Sequence, residues 1–166
     1  MSTWFRTYGF AEVAPDFLVG AYPLDERDVA LLASMGVRRV LNLAQDSEYR
    51  AGEREAVVQA LGAAEIAEYR ISMIDFGSLS GGALEEAVDL LDEWLTEGMR
   101  TYLHCRAGWQ RSAAVAAGLV AVRDGIDIDS ALDYVQTRKP SAEPLPHQRD
   151  DLRRWWKGRS DFEELE

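Results

Sequence analysis

The chain is predicted to fold as one α/β domain over residues 1–166, with a mixed, mostly parallel sheet of four to five strands flanked by helices. Three observations predict it. Short apolar or alternating runs take turns with helical periodicities along the whole chain, the order that calls for a parallel sheet covered on both faces. The helix read from Ser112 to Val122 is apolar on nearly every side, so it belongs in the middle of the domain. No repeat, low-complexity tract or shift in composition divides the 166 residues, a length that buries one core.

The elements follow in order. Thr7 to Val13 and Asp16 to Tyr22 alternate loosely around Ala14-Pro15-Asp16, an opening hairpin. Asp25 is an N-cap with Asp28 at the third helical position and Leu24 stapled to Val29. That helix turns Val29, Leu32 and Met35 inward and stops at Gly36. Arg39-Val40-Leu41-Asn42-Leu43 is a short buried strand, and Glu53 to Leu61 is a helix closed by Gly62. Glu65 to Ile74 alternates as a strand ending on Asp75. Leu84, Ala87, Val88, Leu91, Trp94 and Leu95 form a single helical stripe. Arg100 to His104 is a strand that feeds the buried helix. Two more helices, Ser130 to Arg138 and Gln148 to Lys157, are separated by Pro140, Pro144 and Pro146.

Composition narrows the function. With 18 basic and 29 acidic residues the net charge is −11, which opposes non-specific binding to nucleic acid or to an anionic membrane. No apolar run reaches membrane-spanning length, and Met1-Ser2-Thr3-Trp4-Phe5-Arg6 lacks a signal-peptide pattern, so a cytoplasmic protein is the expectation. One cysteine and two histidines give neither a disulfide framework nor a zinc set, and no cofactor is expected. Arg149, Arg153, Arg154, Lys157 and Arg159, with Trp155 and Trp156, read as the solvated face of a terminal helix rather than an RNA surface.

The chemistry concentrates in His104-Cys105-Arg106-Ala107-Gly108-Trp109-Gln110-Arg111-Ser112, between a buried strand and a buried helix. Such a junction exposes backbone N–H groups without intrahelical partners, and these can ring an anion. Gly108 permits the close backbone approach that the ring needs. Arg111 offers a planar fork of donors to two phosphate oxygens. At the mouth of the helix the dipole and amides favour Cys105 as a thiolate, to which Ser112 can donate. His104 sits behind the loop and holds its shape. The arrangement suits phosphoryl transfer through a phosphocysteine without a metal.

The motif His104-Cys105-x5-Arg111-Ser112 resembles the signature of the protein tyrosine phosphatase superfamily, and the small size resembles its dual-specificity branch. Phe17-Leu18-Val19-Gly20, Leu31-Leu32, Met35-Gly36-Val37 and Val40-Leu41-Asn42-Leu43 look like the opening of that branch, and Ala131 to Val135 with Arg138-Lys139-Pro140 like its closing helices. The resemblance implies a cysteine-phosphatase fold, with Cys105 as nucleophile and Asp75 as general acid and then base. It implies phosphate binding by Arg111 with the loop residues Arg106, Ala107, Gly108, Trp109 and Gln110, help from Ser112 in thiolate departure, and support from His104. The partner would be a phosphorylated protein or a small phosphorylated molecule. Trp109 and Gln110 depart from common family choices and flank the pocket, so substrate preference is where the resemblance carries least. Asp46 is the fallback acid, and Gln148 is a candidate for placing a water. Rival readings keep the chemistry on a phosphoinositide, an inositol phosphate or an RNA 5′ end, change it to rhodanese-like sulfur transfer, or leave a dead phosphate-binding module.

Overall fold

The structure is a computed structural model that describes residues 1–165. Its elements are α1 (Thr3–Tyr8), β1 (Phe10–Ala14), β2 (Phe17–Gly20), α2 (Glu26–Ser34), β3 (Arg39–Asn42), α3 (Glu53–Ala63), β4 (Ala67–Arg70), α4 (Gly81–Thr96), β5 (Thr101–His104), α5 (Arg111–Asp124), α6 (Ile128–Arg138) and α7 (Pro146–Leu165). The sheet runs β1-β2-β5-β3-β4. Only the β1–β2 hairpin is antiparallel; β2, β5, β3 and β4 are mutually parallel. This is the mixed α/β sheet that the sequence predicts.

Strand alternation divides the core in two. Val19, Leu41 and Leu103 face α4, α5, α6 and α7, whose buried residues include Leu84, Leu91, Leu119, Val135 and Leu152. Leu18, Val40 and Tyr102 face the other way, onto Phe5 of α1, Val29 and Leu32 of α2, and Val57 and Leu61 of α3. Every residue of α5 from Arg111 to Ala121 is buried, as its all-round apolar pattern requires. The first residues of β5 pair with both β2 and β3, so β5 is central and its carboxyl end opens over the middle of the sheet. No described helix is long and apolar enough to cross a membrane.

The structure differs from the sequence reading in several places. Residues 3–8 form a helix where only the approach to a hairpin is predicted: Ser2 Oγ caps Phe5 N at 3.1 Å, and buried Asp28 takes Ser2 N at 2.7 Å and Ser2 Oγ at 2.6 Å. Six residues are too few to be helical on propensity alone, so this helix depends on that tertiary anchor and on buried Phe5. The predicted 65–74 strand shrinks to Ala67–Arg70, because its partner β3 ends at Asn42. Ile71 N and Met73 N still bond Asn42 O and Leu43 O, but the ladder is over and Asp75 lies in a loop. Helix α3 passes through Gly62, and Glu65 takes the left-handed turn at φ 56°. Helix α7 begins at Pro146, ahead of the predicted Gln148.

Candidate active site

The chain leaves β5 at His104, makes a tight loop, and enters α5 at Arg111. The loop is tied from several sides. Tyr22 N donates to Arg106 O at 2.9 Å, Leu43 N to His104 O at 2.9 Å, and Glu143 N to Trp109 O at 2.6 Å. His104 is fully buried, and its Nδ1 is 2.8 Å from Cys105 O. That carbonyl only accepts, so Nδ1 carries the proton. Burial pushes the His104 pKa down to about 4, outweighing the bond to Cys105 O, and the imidazole is neutral.

Gly108 shows why no other residue serves at its position. Its φ is 80°, and a Cβ there would lie 2.5 Å from Gly20 C and 2.7 Å from Gly20 O, backbone that cannot move aside. Gly20 is pinned in turn, since its own Cβ would meet Gly9 O, Phe10 Cβ and the Tyr102 hydroxyl at 2.5 Å. Within the described residues, the amides from Arg106 to Arg111 find no acceptor in the fold. They remain available to an anion.

Cys105 is 3% exposed, and its Sγ lies 3.2 Å from Ser112 Oγ. The Arg111 side chain is 1% exposed. Glu48 holds its guanidinium through both outer nitrogens, with Oε1 2.6 Å from Nη2 and Oε2 2.9 Å from Nη1. Nη1 also donates to Met73 O at 2.9 Å, and Nη2 lies 3.2 Å from Asp75 Oδ1. The Arg111 Nε is buried with no hydrogen-bond partner among the described residues. Burial pushes the Glu48 carboxyl up, but Arg111 and the Gln45 N–H outweigh it and the net pKa is lowered.

These groups open on one cavity of about 310 Å³. Cys105, Arg106, Ala107, Trp109, Gln110 and Arg111 of the cysteine loop line it, together with Asp75 and Phe76. Trp4 and Tyr8 complete the wall. Tyr8 packs edge-on to Trp109 at 5.4 Å between centroids, and Arg106 Cζ lies 5.9 Å from the Trp4 ring. Phe76 is 63% exposed at φ 59°. A bulky residue held in that region is strained, and such strain gathers at functional loops.

Asp46, the fallback acid, does not line this cavity. Its carboxylate is 80% exposed and bonds Arg70 at 2.5 Å, and that arginine lowers its pKa. Gln148 is buried and does not line this cavity: Oε1 accepts from Leu145 N at 3.0 Å and Nε2 donates to Gly77 O at 3.2 Å. In this position it braces the loop that follows Asp75. His147 Nε2 reaches the same carbonyl at 3.1 Å, and Asp151 Oδ2 accepts from Leu79 N at 2.9 Å. The basic residues of α7 are largely matched: Arg153 pairs with Asp129 and Asp150, Arg154 with Asp151, and Arg159 with Glu85. Trp155 is buried against the core.

Sequence reasoning missed Glu48, Trp4, Tyr8 and Phe76. The i, i+4 spacing of Trp4 and Tyr8 is the one signal that was available. Nothing local marks Glu48, whose partner lies 63 residues away.

Comparison with known proteins agrees with this geometry. In the Arabidopsis thaliana protein-tyrosine-phosphatase IBR5, 151 residues align at 27% identity, 89% of this chain and 51% of that protein. Human dual specificity protein phosphatase 1 aligns over 59 residues at 30% identity, 36% of this chain and 16% of that one. This chain thus spans a small part of several curated relatives it matches. Among solved structures, PTPMT1 superposes with a TM-score of 0.81 at 20% identity, covering 95% of this chain and 99% of that one. Tk-PTP in its active form gives 0.79 at 20% identity, covering 89% and 96%. The family model for the dual specificity phosphatase catalytic domain matches residues 19–157, a span that holds the whole cysteine loop, Glu48 and Asp75. On that match the chain belongs to the dual specificity phosphatase family.

Proposed function

We propose that the chain hydrolyses phosphate monoesters through a phosphocysteine, acting on phosphotyrosine in proteins or on small aryl phosphates, with phosphoserine and phosphothreonine as slower substrates. One observation carries the reading: Cys105 Sγ, the Arg111 guanidinium and the Asp75 carboxyl line a single cavity at the mouth of α5. In the first step the Cys105 thiolate attacks phosphorus in line with the ester oxygen. The S–P bond forms, the P–O bond breaks, and Asp75 gives its proton to the departing phenoxide. The loop amides and Arg111 hold the three non-bridging oxygens as charge builds on them. In the second step Asp75 takes a proton from water as the water attacks phosphorus. The S–P bond breaks, inorganic phosphate forms, and the Ser112 hydroxyl receives the returning thiolate.

The walls bear on substrate class. Trp4, Tyr8, Phe76 and Trp109 offer apolar faces to an aromatic ring. An inositol polyphosphate asks for several cations, and the cavity lining includes Arg106 and Arg111. A solved structure of PTPMT1 in complex with PI(5)P shares the fold at 21% identity and a TM-score of 0.79, covering 92% of this chain and 97% of that one. That lipid therefore belongs in the test. Phosphate release is measured from a phosphotyrosine peptide, a phosphoserine peptide, an aryl phosphate and PI(5)P, with wild type and Cys105→Ser. Release from the tyrosine and aryl substrates that vanishes in Cys105→Ser is the expected result. Turnover that survives the substitution refutes the mechanism, and a preference for PI(5)P replaces the substrate class.

A further inference from the structure

Beside the catalytic cavity lies a second cleft of about 300 Å³, and Trp109 and Gln110 line both. The rest of its lining is Ser141 and the run Glu143-Pro144-Leu145-Pro146, which leads from α6 into α7. That run is fastened to the cysteine loop, since Glu143 N donates to Trp109 O at 2.6 Å. It is fastened to α7 as well, where Leu145 N donates to Gln148 Oε1 and Arg149 Nε to Pro144 O, both at 3.0 Å. The cleft therefore keeps a fixed place relative to Cys105. A peptide whose phosphate sits in the cysteine loop can lay a neighbouring side chain in it.

The lining selects what that side chain is. Glu143 is exposed, and it is the one lining residue with an ionisable side chain. Among the described residues it has no ion pair. Trp109 is 43% exposed, and Pro144, Leu145 and Pro146 add apolar surface. An arginine or lysine uses every part of such a lining: its stem covers apolar surface, and its cation stacks on an indole and pairs with a carboxylate. Two cations of the chain bond to this lining without being part of it. Lys139, 3% exposed, donates to Ser141 Oγ at 2.8 Å, and Arg149 holds Pro144 O. The whole chain, at −11, adds a field that attracts a basic peptide.

We propose that this cleft is a specificity subsite, taking an arginine or lysine close in sequence to the phosphorylated residue of a substrate protein. The inference rests on the reading that phosphoproteins are dephosphorylated at Cys105, and it narrows them to sites with a basic neighbour. Glu143 acts on the flank of the substrate and takes no part in breaking the ester.

The test is binding of phosphotyrosine peptides to Cys105→Ser, read by calorimetry, so that turnover is not needed. A reference peptide carries alanine on both sides of the phosphotyrosine. In the others a single arginine or glutamate moves through the flanking positions. At one or two positions arginine should tighten binding about five-fold or more over alanine, and glutamate should not. Glu143→Gln in the same background should cut that ratio to about two-fold or less. Glu143→Lys should turn the preference toward glutamate at the same positions. A ratio of two peptides on one variant cancels any change in phosphate binding itself. An arginine gain equal at every position would belong to the overall charge and would overturn the subsite. So would a gain that survives Glu143→Lys, or a preference for glutamate beside Glu143. Hydrolysis of the same peptides by the unsubstituted chain is measured in parallel. Turnover without an arginine preference removes the subsite and leaves the proposed function standing. An arginine preference in binding without turnover refutes the catalytic reading and keeps the cleft as a recognition site. Peptides that neither bind nor turn over refute both.

Discussion

Glu48→Gln is the substitution that most directly tests how this site is held. Glu48 and Arg111 are both almost fully buried, and two charge-assisted bonds join them at 2.6 and 2.9 Å. Gln keeps the size and one acceptor, so two bonds between ions become at best one bond from the guanidinium to an uncharged oxygen. Bonds to charged groups contribute about 1.5–3 kcal/mol and neutral ones about 1. Arg111 retains Met73 O and Asp75, so it is loosened rather than stranded. The net loss should be about 1–3 kcal/mol, below the full cost of breaking a buried pair. If that loss falls on phosphate placement, kcat/KM drops by roughly 10- to 100-fold, which steady-state kinetics on an aryl phosphate would measure. The part that falls on folding lowers Tm by about 2–10 °C. The sign with pH is fixed. The Glu48 pKa is lowered in the fold, so its contribution is present above the ordinary carboxylate range and is lost as pH falls through the lowered value. Glu48→Gln should flatten that acid limb of Tm against pH. Unchanged kcat/KM and Tm would refute the orienting role. A higher kcat/KM would mean that Glu48 competes with phosphate for the guanidinium.

Asp75→Asn should lower kcat by about 10²–10⁴-fold for poor leaving groups and much less for an aryl phosphate whose phenol leaves easily; equal losses across leaving groups would refute an acid role. Gly108→Ala should abolish phosphate-analogue binding, read by calorimetry, because the added Cβ meets Gly20 backbone at 2.5 Å and φ is 80°. The His104 pKa is lowered to about 4, so stability from its neutral form is full above about pH 6.5 and is lost as pH falls toward 4. His104→Gln should remove much of that slope from Tm measured across the same window.

The parts of the site legible in the sequence are those made by neighbours in the chain. Cys105, Gly108, Arg111 and Ser112 fall within one strand–loop–helix turn, and their offsets alone carry the geometry. The same holds for α4 and α5, whose apolar patterns span several turns and leave one solution each. Legibility fails where a position is set from elsewhere. Helix α1 exists because Asp28, 26 residues on, bonds Ser2. Asp75 sits in a loop because β3, its neighbour's partner, ends at Asn42. Glu48 ends a single 3₁₀ turn and owes its role to a guanidinium at the start of α5, 63 residues away.

Gln148 shows the same limit from the other side. A polar residue at the start of a predicted helix invites a functional reading, and the fold instead uses it as a strut. Gln148 and His147 reach Gly77 O, and Asp151 takes Leu79 N, so α7 grips the loop just after Asp75. Leu145 N closes back on Gln148, and Glu143 in the same stretch holds Trp109 O of the cysteine loop. The acid loop and the phosphate loop thus share one support, though they are separated by some thirty residues and approach it from different strands. The distance between acid and nucleophile is therefore braced by a third segment, which lies farther along the chain than either of them. A pattern read locally cannot supply that distance, because it belongs to the packing of α7 and not to either loop.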